Sequence, residues 1–176
     1  MKPALTRLAA GFALCAMAPA QAAAPPPVQC LNPAEMHGLI GYFLPNVIGE
    51  VTKNCSAHLP ADSYVLTRLP QVAAQLSETR PTSWPVAKAA FFKMSDPKDA
   101  KEMAGLPDEA LRPLIDAVIA QKMTIPVTPS TCAEVNDISE ALAPLTPDQT
   151  VHLLATIFSA VARKDNKLRS CPREAG

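Results

Sequence analysis

The chain has 176 residues, 48% hydrophobic and 18% charged, with 16 basic and 16 acidic side chains. A balanced charge gives no electrostatic reason to expect nucleic acid or an anionic membrane as partner. The length suits one domain with a real hydrophobic core.

The N-terminus reads as a secretory signal. Lys2 and Arg7 make a basic start, Leu8 to Ala18 is an uncharged and mostly apolar run, and Ala20-Gln21-Ala22 places small residues where a signal peptidase reads. The apolar run is too short to span a bilayer. Residues 1–22 are therefore expected to be cleaved after Ala22, leaving a periplasmic or secreted chain. A lipoprotein signal fits poorly, because Leu14 precedes Cys15 and Cys15 lies inside the apolar run. Cleavage leaves 14 basic and 16 acidic side chains, a formal net charge near −2, and no segment of membrane-spanning length.

Cleavage also changes the cysteine count from five to four: Cys30, Cys55, Cys132 and Cys171. An even number in an exported chain suggests two disulfides.

After an Ala/Pro leader at 23–29, the domain expected at 30–171 reads as helix, turn, helix, without β-alternation. The fold class is all-α: one compact domain of about six to seven short, proline-punctuated helices. The first starts at Asn32, with Pro33 in the first turn and Glu35 at the capping-box position. Met36, Ile40, Phe43, Val47 and Val51 recur at steps of three or four, and Leu39, Leu44 and Ile48 widen the stripe. Pro45 must kink or break this helix, because it removes one backbone hydrogen bond and crowds the Gly41 carbonyl.

Asp62 to Glu78 is a second helical stretch, interrupted at Pro70, with Val65, Leu69, Val72 and Leu76 facing the core. Ser83 is read as the cap of a third, with Trp84 and Pro85 in its first turn. Asp96-Pro97 opens a short fourth helix ending at Gly105. Pro107-Asp108-Glu109 opens a fifth, with Leu111, Leu114, Ile115, Val118 and Ile119 buried and a kink at Pro113. Thr124 to Ser130 holds two prolines and reads as an extended connector. Thr131 with Glu134 forms another capping box, followed by Val135, Ile138 and Leu142. Thr146-Pro147-Asp148-Gln149 is the clearest helix start, with Val151, Leu154, Phe158 and Val161 lining the last helix. Residues 172–176 are expected to be a disordered tail.

Geometry bears on the cysteine pairing. A continuous helix over 33–54 would hold its ends about 33 Å apart, whereas disulfide α-carbons sit about 5.5 Å apart. Cys30–Cys55 therefore requires a sharp fold at Pro45, and pairs with Cys132–Cys171 across a C-terminal helical hairpin. A crossed pairing keeps the first helix whole. Both remain open at this level.

Chemistry is sparse. His37, His58 and His152 form no metal-ligand spacing, and Cys55-x-x-His58 lacks the second cysteine that haem attachment requires. Met36, Met94, Met103 and Met123 are scattered singly, as core fillers are. No catalytic residue, metal ligand or cofactor is assigned. Gly38, Gly41, Pro45 and Gly49 do form a stripe almost without side chains, within an uncharged segment that includes Tyr42. This is either a close-packing surface for another backbone or an apolar binding surface.

The Ala-rich signal, Cys30 and Cys55 around a Leu-Pro-containing helix, Leu59-Pro60-Ala61-Asp62 and Cys171-Pro172 together resemble small exported helical proteins of alphaproteobacteria. That resemblance implies no activity. The functional expectation is a non-enzymatic periplasmic protein that binds a peptide, a protein or an apolar ligand. The alternatives are a small cell-envelope hydrolase using a buried carboxylate, and a structural partner in an envelope complex.

Overall fold

The protein is described here from a computed structural model, which covers residues 30–122, 127–164 and 170–171. The expected export signal, the 23–29 leader, the 172–176 tail and residues 124–126 of the expected connector lie outside these residues. Among the described residues there are seven helices, α1 (Pro33–Cys55), α2 (Tyr64–Thr67), α3 (Leu69–Met94), α4 (Pro97–Met103), α5 (Asp108–Lys122), α6 (Pro129–Ala141) and α7 (Pro147–Ala162), and no strand. The fold is all-α.

Helix α1 is the axis of the fold. It begins as its capping box dictates: the Asn32 side chain accepts from the Glu35 N–H, and the Glu35 carboxylate accepts from the Asn32 N–H. The helix runs unbroken through the buried Pro45 to Cys55. Proline orphans the Gly41 carbonyl and loosens the next bond along. The Arg80 Nε–H donates to the neighbouring Tyr42 carbonyl at 3.0 Å, so a long side chain from α3 supplies a donor where the helix is weakest. Because α1 is whole, its ends stay apart, and each of its flanking cysteines pairs with one from the C-terminal half, one bridge nested inside the other: Cys30–Cys171 and Cys55–Cys132. A parallel bridge between Leu31 and Ser170 accompanies the first disulfide.

The second and third expected helices differ from the structure. The break falls at Arg68, one residue before Leu69-Pro70 opens α3 with proline in its first turn. Helix α3 then runs through Pro81 and Pro85, and Ser83 starts nothing. Packing outweighs the local rule: Trp84, Ala87, Ala90 and Phe91 are buried against neighbouring helices, and tertiary burial outweighs propensity.

The main core joins α1, α3 and α5 through Tyr42, Phe43, Trp84, Ala87, Phe91, Leu111 and Ile115. Leu114, expected inside, is instead 40% exposed. Arg80 stitches the same three helices: it forms a bidentate pair with Asp116 at 2.9 and 3.0 Å and lies 4.3 Å from the Tyr42 ring centroid.

Helix α7 packs on α1 and α3, with Ala155 clustered with Met36 and Ala90, and Val151 with Ile48 and Leu76. Its Thr146–Gln149 capping box forms as expected, but its inward face is Val151, Ala155, Ser159 and Ala162. Phe158 and Val161, expected inside, are 46% and 57% exposed. Small residues let α7 lie close to α1, and the larger apolar side chains then have no room between them. Helix α6 starts at Thr128, whose hydroxyl accepts from the Thr131 N–H. That is three residues earlier than the expected cap, because Pro129 fits the first helical position.

The glycines of α1 test this packing. A Cβ on Gly38 would stand 2.6 Å from Val86 Cγ1 and 2.9 Å from Val86 Cβ, whereas one on Gly49 would meet nothing within 4 Å. Gly38→Ala is therefore expected to destabilise by about 1–2 kcal/mol, the overpacking cost less the gain in helix propensity. Gly49→Ala is expected to stabilise by about 0.5–1 kcal/mol. Paired urea titrations read both, and equal effects at the two sites would contradict the α1–α3 contact.

Candidate functional site

Below the main core, the C-terminal half of α1 carries a second apolar face. Leu44, Val47, Ile48 and Val51 point away from the α5 side and form one wall of a half-open cavity of about 340 Å³. Tyr64 of α2 and Leu69, Val72 and Gln75 of α3 supply a second wall. Val135 and Ser139 of α6, then Leu142, Ala143 and Leu145 of the α6–α7 turn, cover it. Pro147, Thr150 and Leu154 of α7 complete the lining.

The chemistry of this wall is uniform. It carries no Asp, Glu, Lys, Arg or His, and its polar atoms come from Tyr64, Gln75, Ser139 and Thr150. A small annex of about 30 Å³ adjoins it, sharing Val51 and Val135 and bounded by the Cys55–Cys132 disulfide, with Glu50 as its one acidic residue. The disulfide itself is buried with Val65 in a separate cluster.

The cavity lies on the helix that the sequence singled out, but not on the glycine stripe. Gly38 meets Val86 of α3, and a side chain at Gly41 would meet Ser83 and Val151. Tyr42 and Pro45 are buried, and Gly49 is exposed. None of these five residues lines the cavity. All four cysteines expected to pair do so, and Cys55 and Cys132 sit at the cavity's edge.

Other sequence candidates fall elsewhere. His37 and His152, far apart in sequence, bring their ring centroids within 6.2 Å, and His37 Nε2 lies 3.7 Å from Asp148. Among the described residues, no group of three His, Cys, Asp or Glu is arranged to hold a metal ion. Glu35, whose side chain is only 13% exposed, pairs with Lys93. Burial pushes its carboxyl up, but the Lys93 hydrogen bond, the Asn32 N–H and the lysine charge together hold it below the ordinary value. Asp108 is also held low, chiefly by the hydrogen bond it accepts from Lys88. Both shifts favour the carboxylate, the opposite of what a general acid requires.

The chain matches no known family model, no curated protein and no solved structure. Its function must therefore be argued from the cavity. Sequence reasoning missed Tyr64, Gln75, Ser139 and Leu145, because they reach the cavity from three different helices and a turn. The tight Ala143-Pro144-Leu145 turn was the one local signal available, since it brings α6 back alongside α7.

Proposed function

We propose that this chain is an exported, non-enzymatic protein that binds a small apolar ligand. The uncharged apolar cavity carries the reading. Ligand pockets commonly run from about 300 to 1,000 Å³, with mostly apolar walls and a few polar groups. An engineered apolar cavity of about 150 Å³ accepts benzene. By that scale, 340 Å³ accommodates one short hydrocarbon chain or a fused two-ring molecule. A helix about 10 Å across would not enter, so the ligand is a small molecule and not a folded peptide. The absence of a charged group in the wall disfavours ligands whose buried part is ionic.

Export is supported by the two disulfides, which persist in oxidising compartments, and by the N-terminal sequence pattern. No described helix is long and apolar enough to cross a membrane.

The test is a fluorescence titration with an uncharged naphthylamine probe, competed by a medium-chain alcohol. Saturable binding in the micromolar range is expected, about −8 kcal/mol. Val72→Trp, which fills the cavity from α3, should weaken it at least tenfold, and Ser139→Phe should do so from α6. If either folded variant binds as the unaltered protein does, the cavity is not the site.

A further inference from the structure

Resting on that reading, we infer that residues 133–150 form a lid over the cavity, hinged at Cys132 and Val151, which closes onto the bound ligand. The two ends are firmly held. Cys132 is 0% exposed and bonded to Cys55, and Val151 is 3% exposed against Ile48 and Leu76. Between them, no residue from 133 to 150 is buried.

The segment is nonetheless well formed within itself. It holds most of α6, a turn closed by the Ala143 N–H to Glu140 and the Leu145 N–H to Leu142, and the Thr146–Gln149 capping box. Among the described residues its polar attachments to other helices are few: one hydrogen bond, from the Val65 N–H to Asn136 Oδ1 at 3.2 Å, and the solvent-exposed Asp148 at 3.7 Å from His37 Nε2. A segment with few buried contacts lies at the low-stability end of a fold and opens locally more often than the core does.

The underside explains why contacts are few. Val135, Ser139, Leu142, Leu145 and Pro147 face the cavity, so what should be core beneath the lid is empty space. Side chains lining an empty cavity lose dispersion partners on that side. A ligand supplies those partners, and binding and lid closure are then thermodynamically coupled. The outer face carries the exposed Glu134, Asp137, Glu140, Asp148 and Gln149, and its one large exposed apolar side chain is Ile138, at 60%. That face suits a lid turned to solvent.

Hydrogen exchange on the disulfide-intact protein, with and without saturating naphthylamine probe, tests this. Helix α4 is an internal control, because it also has no buried residue but does not line the cavity. Amides at 137–146 should exchange quickly in the free protein and at least tenfold more slowly with probe, with α4 unchanged. Asn136→Ala should speed exchange of the same amides and raise the probe's dissociation rate several-fold. Saturable probe binding without protection at 137–146 overturns the lid and leaves the ligand reading standing. Equal protection of α4 also overturns it, since that is global stabilisation. No saturable binding overturns both.

Discussion

Replacing Cys30 and Cys171 together by alanine is expected to cost about 4 kcal/mol of stability. The two disulfides are nested, with sequence separations of 141 and 77. Cutting the outer one, with the inner intact, frees a loop whose closure entropy corresponds to about 4 kcal/mol. The outer bridge also fixes Leu31, which is 2% exposed and packs with Met36, Ala90 and Ala155. Its release would loosen that cluster as well. Guanidinium denaturation of the double variant against the parent measures the difference. Because a typical domain has only about 5–15 kcal/mol in total, the variant should be markedly less stable while α1 stays helical. A loss below about 1 kcal/mol would mean that the unfolded chain is already constrained, or that the ends contribute nothing. The same pairing predicts that unreduced peptide maps contain a Cys30–Cys171 fragment and no Cys30–Cys55 fragment.

How much of this was legible beforehand varies by element. The starts of α1 and α7 were legible because a capping box is a local device, fully contained in four residues. The disulfide pairing stayed open, because a whole α1 still allows two of the three pairings, and whether Cys30 can meet Cys55 rests on whether α1 survives Pro45. That depends partly on Arg80, which lies 38 residues from Tyr42. Helix α3 was misjudged for the same reason. Pro81 and Pro85 are strong local breakers, and only the burial of Trp84 against two other helices outweighs them. The inward face of α7 was hidden by its composition. VHLLATIFSAVA is apolar on most sides, so periodicity cannot choose between Ala155 and Phe158. The choice is made by how close α1 lets its neighbour come. The cavity was least legible, since it is defined by where packing stops, and no residue pattern encodes a gap between α1, α3 and α6.

Trp84→Ala is expected to cost about 3–5 kcal/mol, the usual range for removing a large buried aromatic. Trp84 is the sole tryptophan of the chain and is 2% exposed. It lies 5.1 Å from the Tyr42 ring, with the Arg112 guanidinium 5.1 Å from its own centroid and the Lys88 ammonium at 6.0 Å. Truncation removes the apolar filling between α1, α3 and α5, and also the ring over which two cations sit. Those cations then lose a favourable neighbour at the core's edge. Far-UV circular dichroism during urea unfolding reads the loss, since the variant has no tryptophan signal. Trp84→Phe retains most of the packing and should cost about 1–2 kcal/mol. Trp84 does not line the apolar cavity, so at temperatures where it remains folded, Trp84→Phe should bind the naphthylamine probe as the parent does. Val72→Trp is expected to show the opposite pattern, with a modest effect on stability and a large one on binding. Separation of the two variants along these axes would show that the packed half of the molecule supports the fold and the unfilled half serves the ligand. If both variants lost stability and binding together, core and cavity would form one cooperative unit, and the cavity would have to be read as loose packing.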